Sequence, residues 1–322
     1  MKLGSWKYAT AVATVVLTGA MSPAHASQLS SDARASIPRD VQQIIVVDYR
    51  TMQNSNAAMR LKDQVLPPEL KRLETALKTS GMKVDQDADT LAFAAYRTTG
   101  EKGAAGTRIM GVAQGQFQTA SIMAYFTKQK VKAEKYRNYS IYPMGSAGMS
   151  VAFLNQTTMV FGDHEAVKTA LDTRDGMAPN FLQNGDMMSE MSSVDTRAVW
   201  SLLDSRGTQT MMKGVLGEAA QLADYDTVKN RMKSARYTMD FSNGVRFDMA
   251  VVMNDSMTAG TAATLLKGVA LLRKNSGSPI EKSAMDETRI DSSGGTLTVE
   301  YSSSDSQFAS LLTSPLFQSV VK

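Results

Sequence analysis

The stretch Gly148–Gly176, GMSVAFLNQTTMVFGDHEAVKTALDTRDG, decides how the chain is read. Residues 150–154 and 157–161 are short runs rich in β-branched and aromatic side chains. Asn155-Gln156 between them predicts a turn, because asparagine readily takes up turn backbone. Gly162-Asp163 ends the second run. The Asp163 carboxylate is placed to accept the free amide hydrogens of a helix's first turn, and Glu165 lies at the positive end of the helix dipole. Val167, Ala170 and Leu171 give that helix an apolar stripe, and Gly176 predicts a left-handed end. The unit is a hairpin followed by a helix.

The same pattern returns on both sides. LAFAAYR (91–97) and RIMGVAQGQF (108–117) predict two strands joined by TTGEKGAAGT, then a helix through Lys130 with Ile122, Met123 and Phe126 inward. Towards the C-terminus, Asn243-Gly244 is the strongest hairpin signal, followed by the alternating Val245, Phe247, Met249, Val251 and Met253. Asn254-Asp255-Ser256 then caps a long helix with more than one apolar stripe. Thr288–Leu312 gives a last hairpin and capped helix. Four units therefore lie at 91–130, 136–174, 236–274 and 288–312. Ahead of them, VQQIIVVDY (41–49) is a near-continuous apolar run, the mark of a central strand covered on both faces. The predicted class is α+β: two related halves, each a mainly antiparallel sheet with helices packed on one face.

Domain organisation follows from breaks in this pattern. Lys2 and Lys7, the apolar Tyr8–Met21 and the small-x-small Ala24-His25-Ala26 predict a cleaved secretory signal over residues 1–26. Residues 27–37 are polar and small, a flexible leader. An N-terminal α+β domain over 38–176 and a C-terminal one over 197–322 flank a Met-rich linker at 177–196, MAPNFLQNGDMMSEMSSVDT. The apolar part of the signal is shorter than a membrane span, so no transmembrane helix is expected in the mature chain. The expected location is periplasmic or secreted.

Composition narrows the chemistry. The sequence has 35 Lys+Arg and 31 Asp+Glu; without Lys2 and Lys7 the formal charge falls from +4 to +2, a poor basis for nucleic-acid binding. There is no cysteine, so no disulfide and no thiolate nucleophile. His164 is the one histidine left after the signal, which excludes a multi-histidine zinc site. No cofactor is expected. Ser80-Gly81-Met82-Lys83 matches S-x-x-K without its companion motifs, and the glycines of 100–106 lack the G-K-[ST] ending of a phosphate loop.

Two clusters remain. KQKVKAEKYR (128–137) places Lys128, Lys130, Lys132, Lys135 and Arg137 against the single acid Glu134, with Tyr139 close by. Basic side chains beside aromatics fit an anionic partner, and a solvated helix end is the plainer alternative. Met187, Met188 and Met191 are spaced so that their thioethers could converge on copper(I), although methionine also serves as an adaptable core filler.

The segments SIPRDVQQIIVVDYR (36–50), LPPELKRLETALKTSG (66–81) and FGDHEAVKTALD (161–172) resemble a group of uncharacterised exported bacterial proteins built from tandem β-β-α units. The resemblance implies fold only. The reading is thus an exported, non-catalytic binding or interaction protein of the bacterial envelope, whose partner is an envelope protein, a lipid or an anionic glycan. The alternatives are an envelope hydrolase using carboxylates such as Asp163 and Glu165, and a Met-based copper(I) carrier.

Overall fold

The computed structural model describes residues 28–65, 68–79, 82–99, 105–144, 148–216, 225–314 and 317. The predicted signal, Ser80-Gly81 and the glycine-rich residues 100–104 lie outside them.

Twelve strands form one sheet: β1 (Val41–Asp48), β2 (Ala88–Thr99), β3 (Ala105–Gly115), β4 (Glu134–Tyr136), β5 (Tyr139–Met144), β6 (Met149–Phe153), β7 (Thr158–Asp163), β8 (Val199–Leu203), β9 (Met232–Asp240), β10 (Val245–Met253), β11 (Thr288–Ser293) and β12 (Thr296–Ser303). Their spatial order is β11-β12-β10-β9-β8-β1-β2-β3-β7-β6-β5-β4. The chain is α+β, built on a large antiparallel sheet. β1 stands at the centre, paired with β2 on one side and β8 on the other. One sheet therefore runs through both of the stretches expected as halves. The ion pair of Arg97 with Asp204, at 2.5 Å, reinforces the join from either side of β1.

Antiparallel partners point to the same face, so the register sorts the core. On the first face, Ile44 meets Ala94 and Leu202, and Val46 meets Ala92 and Trp200. That layer continues through Met110, Val112, Val160, Ala152 and Ile141 and is covered by Ala33, Ile37, Val167, Leu171 and Phe181. On the second face, Ala113, Met159, Phe161 and Val151 lie under Leu73 and Leu77 of helix Pro68–Thr79 and under Ile122 and Phe126 of helix Thr119–Lys128. Further along this face, Met249, Val251 and Leu297 pack on helices Ser205–Leu216 and Ser256–Ser276.

The first face changes character beyond β8. Its next rows are Arg236-Ala250-Thr298-Asp291 and Thr238-Asp248-Glu300-Arg289, polar and partly or fully exposed. Helices on one face thus describe the C-terminal strands, whereas β1–β3 and β5–β7 carry helices on both faces.

Two stretches differ from expectation. Residues 27–37, expected as a flexible leader, contain helix Ser31–Ser36, capped by Ser30 and buried through Ala33. Leu29, Ala33 and Ile37 recur every four residues, a stripe that the polar composition hides. The expected linker 177–196 is packed: Phe181 is fully buried, helix Gly185–Met191 follows, and Met187, Met191 and Val194 join the first-face core.

Candidate functional site

The basic segment sits at the β4 end of the sheet. Helix Thr119–Lys128 is anchored by buried Ile122 and Phe126. At its end the Val131 amide donates to the Phe126 carbonyl and the Lys130 amide to the Thr127 carbonyl, the six-to-one and five-to-two bonds of a Schellman end. The geometry demands a left-handed residue, usually glycine, and Lys130 supplies it with φ 54°. Helix His164–Arg174 ends the same way: the Met177 amide reaches the Asp172 carbonyl and Gly176 has φ 74°.

A second left-handed cation follows. β4 and β5 pair through Tyr136 and Tyr139, leaving the two-residue turn Arg137-Asn138, and Arg137 has φ 52°. Lys130 and Arg137 are the only non-glycine residues with positive φ among the described residues.

Helix His164–Arg174 holds this hairpin through polar contacts. Glu134 receives His164 Nε2 at 3.0 Å and Lys168 Nζ at 3.1 Å. The Lys168 hydrogen bond, with the His164 and Lys168 charges, holds the Glu134 carboxyl below the usual glutamate range. Tyr136 donates its hydroxyl to Asp172 at 2.9 Å, and Arg137 Nε donates to the same carboxylate at 2.8 Å. Asp172 raises the Arg137 pKa and so secures its charge. Tyr139 donates to Asp175 at 3.0 Å and accepts from Arg174 at 3.0 Å. Burial raises the Tyr139 pKa, so the hydroxyl stays a donor at neutral pH.

These contacts divide the predicted cluster. Arg137 and Tyr139 bind the scaffold, and Lys135 Nζ donates to Ser140 Oγ at 2.8 Å. Lys128, Lys130 and Lys132 are exposed and make no side-chain hydrogen bond or ion pair among the described residues. Glu134, the one nearby acid of the segment, is already satisfied by His164 and Lys168. Three uncompensated cations therefore stand at one edge of the sheet.

The other candidates fall elsewhere. Asp163 accepts the Ala166 amide at 2.8 Å and lies 3.2 Å from Arg108, the role of a helix cap. Glu165 is exposed and 3.7 Å from Lys168. Met187 and Met191 are buried, and Met188 packs against the same core from a partly buried position. No group of three or more His, Cys, Asp or Glu able to hold a metal ion occurs among the described residues. No helix among them is long and apolar enough to cross a membrane.

Fold and site together define an α+β protein with an extended antiparallel sheet and a cationic edge. A solved protein shares that fold: crystal form I of TP0453 from Treponema matches with TM-score 0.50 and 10% identity over 89% of this chain and 98% of that one. Crystal form III of TP0453 matches with TM-score 0.49 at 10% identity, over 87% of this chain and 96% of that one. No protein-family model and no curated protein matches the chain.

Proposed function

We propose that this is an exported, non-catalytic binding protein of the bacterial envelope, periplasmic or secreted, whose Lys128–Lys132 edge docks on an anionic partner. One observation carries the reading. Among the described residues Lys128, Lys130 and Lys132 stay unpaired, and Lys130 occupies a left-handed position where glycine would be about 1–2 kcal/mol less strained. A strained backbone position filled by a cation is understandable where the cation is used. Export rests on Lys2, Lys7, the apolar Tyr8–Met21 and Ala24-His25-Ala26.

The shared chemistry of the partner is closely spaced phosphate or carboxylate groups, from lipid headgroups or an acidic glycan. Three lysines at one edge supply attraction that falls with ionic strength. The test measures binding to phosphatidylcholine vesicles with and without phosphatidylglycerol, and to soluble polygalacturonate, at low and high salt. Salt-sensitive binding to the phosphatidylglycerol vesicles identifies headgroups, and such binding to polygalacturonate alone identifies a glycan. Binding to neither overturns the reading.

A further inference from the structure

At the opposite end of the sheet, two adjoining depressions open around β12. The smaller, about 320 Å3, lies between helices Pro279–Asp286 and Asp305–Leu312. Ser283, Ser303, Ser306 and Ser310 line it with Gln307 and Tyr301. The larger, about 790 Å3, lies between helix Ser256–Ser276 and the edge strand β11. Tyr301 and Glu287 line both, so the two share a wall. Their volumes fall in the range of about 300–1,000 Å3 common for small-molecule sites.

The smaller depression sets hydroxyl and amide groups into a mostly apolar lining, with Glu287 at the wall it shares with the larger one. The Gln307 carbonyl oxygen is taken by Ser304, whose amide and hydroxyl donate to it at 2.9 and 2.8 Å, which leaves the Gln307 amide nitrogen as a donor. Ser310 already donates to the Ser306 carbonyl at 2.9 Å and so faces a ligand as an acceptor. Tyr301 lies beside Ser303, and burial raises its pKa, keeping its hydroxyl protonated. Ser303 Oγ is buried against the Tyr301 hydroxyl, whose ionisation it favours less strongly than burial opposes it. Ile280 and Leu311 add apolar surface.

The larger depression favours neither sign of charge. Arg246, Lys267, Lys274 and Arg289 stand with Asp286, Glu287 and Glu300; Arg246 is held by Asp248 outside the depression and Lys274 pairs with Asp286, which leaves Lys267 and Arg289 facing Glu287 and Glu300. A ligand that presents many hydroxyls or amides with no net charge meets this lining without leaving an ion unpaired. An aromatic ring beside hydroxyls and small apolar side chains matches a sugar ring, polar at its rim and apolar on its face.

We infer that the two depressions form one binding site for an uncharged oligosaccharide, one ring seated between Tyr301 and the two short helices and the chain continuing past Glu287 beside β11. The site lies on different strands from the lysine edge and stands or falls separately from it.

Titration calorimetry with the N-acetylglucosamine tetramer and with maltotetraose tests the inference. Saturable binding of at least one tetramer is expected. Tyr301→Phe removes only the hydroxyl, and its affinity is expected to fall several-fold. Ser306→Trp, at an exposed position of the first helical turn, fills the smaller depression and is expected to weaken binding by at least about tenfold, one lost set of hydrogen bonds. Ser283→Trp does the same from the facing helix, should Ser306→Trp fold poorly. Replacing Lys128, Lys130 and Lys132 together leaves tetramer affinity unchanged. Binding of neither tetramer, or parental affinity in both folded tryptophan variants, overturns the assignment.

Discussion

Lys130 takes, at the end of helix Thr119–Lys128, the same left-handed position that Gly176 takes at the end of helix His164–Arg174. The hydrogen-bond pattern is common to both ends and the residue type is not. Glycine enters this backbone region freely, whereas a side chain brings Cβ too near the following carbonyl.

Lys130→Gly therefore stabilises the protein by about 1 kcal/mol through backbone relief alone. Urea denaturation should show a higher midpoint with an unchanged slope. The same variant is predicted to bind anionic vesicles more weakly, separating stability from binding at one position.

Phe181 tests whether residues 177–196 belong to the core. Its side chain is fully buried beside Ile37 and Leu171, and its amide donates to the Ile37 carbonyl at 2.7 Å. Phe181→Ala is expected to cost about 3–5 kcal/mol. A loss below about 1 kcal/mol, within the range of a surface change, would place the segment outside the cooperative unit.

Gly244, in the β9–β10 turn, has φ 81°, and a Cβ there would stand 2.4 Å from the Ser303 carbonyl oxygen. Gly244→Ala combines left-handed strain with a backbone collision that cannot relax by rotating a side chain. Loss of at least about 1–2 kcal/mol is expected, read as a lower melting temperature.

Glu134 gives a pH dependence of defined sign. Its folded-state pKa lies below the usual glutamate value, first through the Lys168 hydrogen bond and then through the His164 charge. The stabilisation is therefore present above the unfolded-state pKa and is lost as pH falls through the folded-state value. Glu74 behaves alike: burial opposes ionisation, but the hydrogen bonds from Lys78 and Lys62 outweigh it. The urea midpoint should fall below the glutamate range, and more shallowly in Glu134→Gln. Parallel profiles for parent and variant would remove Glu134 from this account.

Much of the fold was legible because its signals are local. The apolar run 41–49 became the central strand, and Asn243-Gly244 became a tight turn between paired strands. What periodicity does not encode is which strands become neighbours. β1 and β8 pair across nearly half the chain, and nothing in the pattern of either names the other. The helix at Ser31–Ser36 escaped because three apolar residues four apart are easily lost in a polar segment.

The candidate site was legible in the same partial way. Counting charges located the lysine edge, but its division was hidden, since the acids that engage Arg137 and Tyr139 lie some 35 residues further along, on or just after the helix that packs against them. The left-handed backbone at Lys130 was hidden too, because lysine does not announce such a conformation as glycine does. The smaller depression beside Tyr301 draws on two helices and a strand, and its serines have no common spacing.

The most direct test of the binding claim is co-sedimentation with phosphatidylglycerol-containing vesicles, comparing the parent with Lys128→Gln/Lys130→Gln/Lys132→Gln over a range of salt. The account predicts binding by the parent that weakens as salt rises, and at most residual, nearly salt-independent binding by the variant, with its circular dichroism unchanged. Equal binding by both proteins, with equal salt dependence, would contradict it.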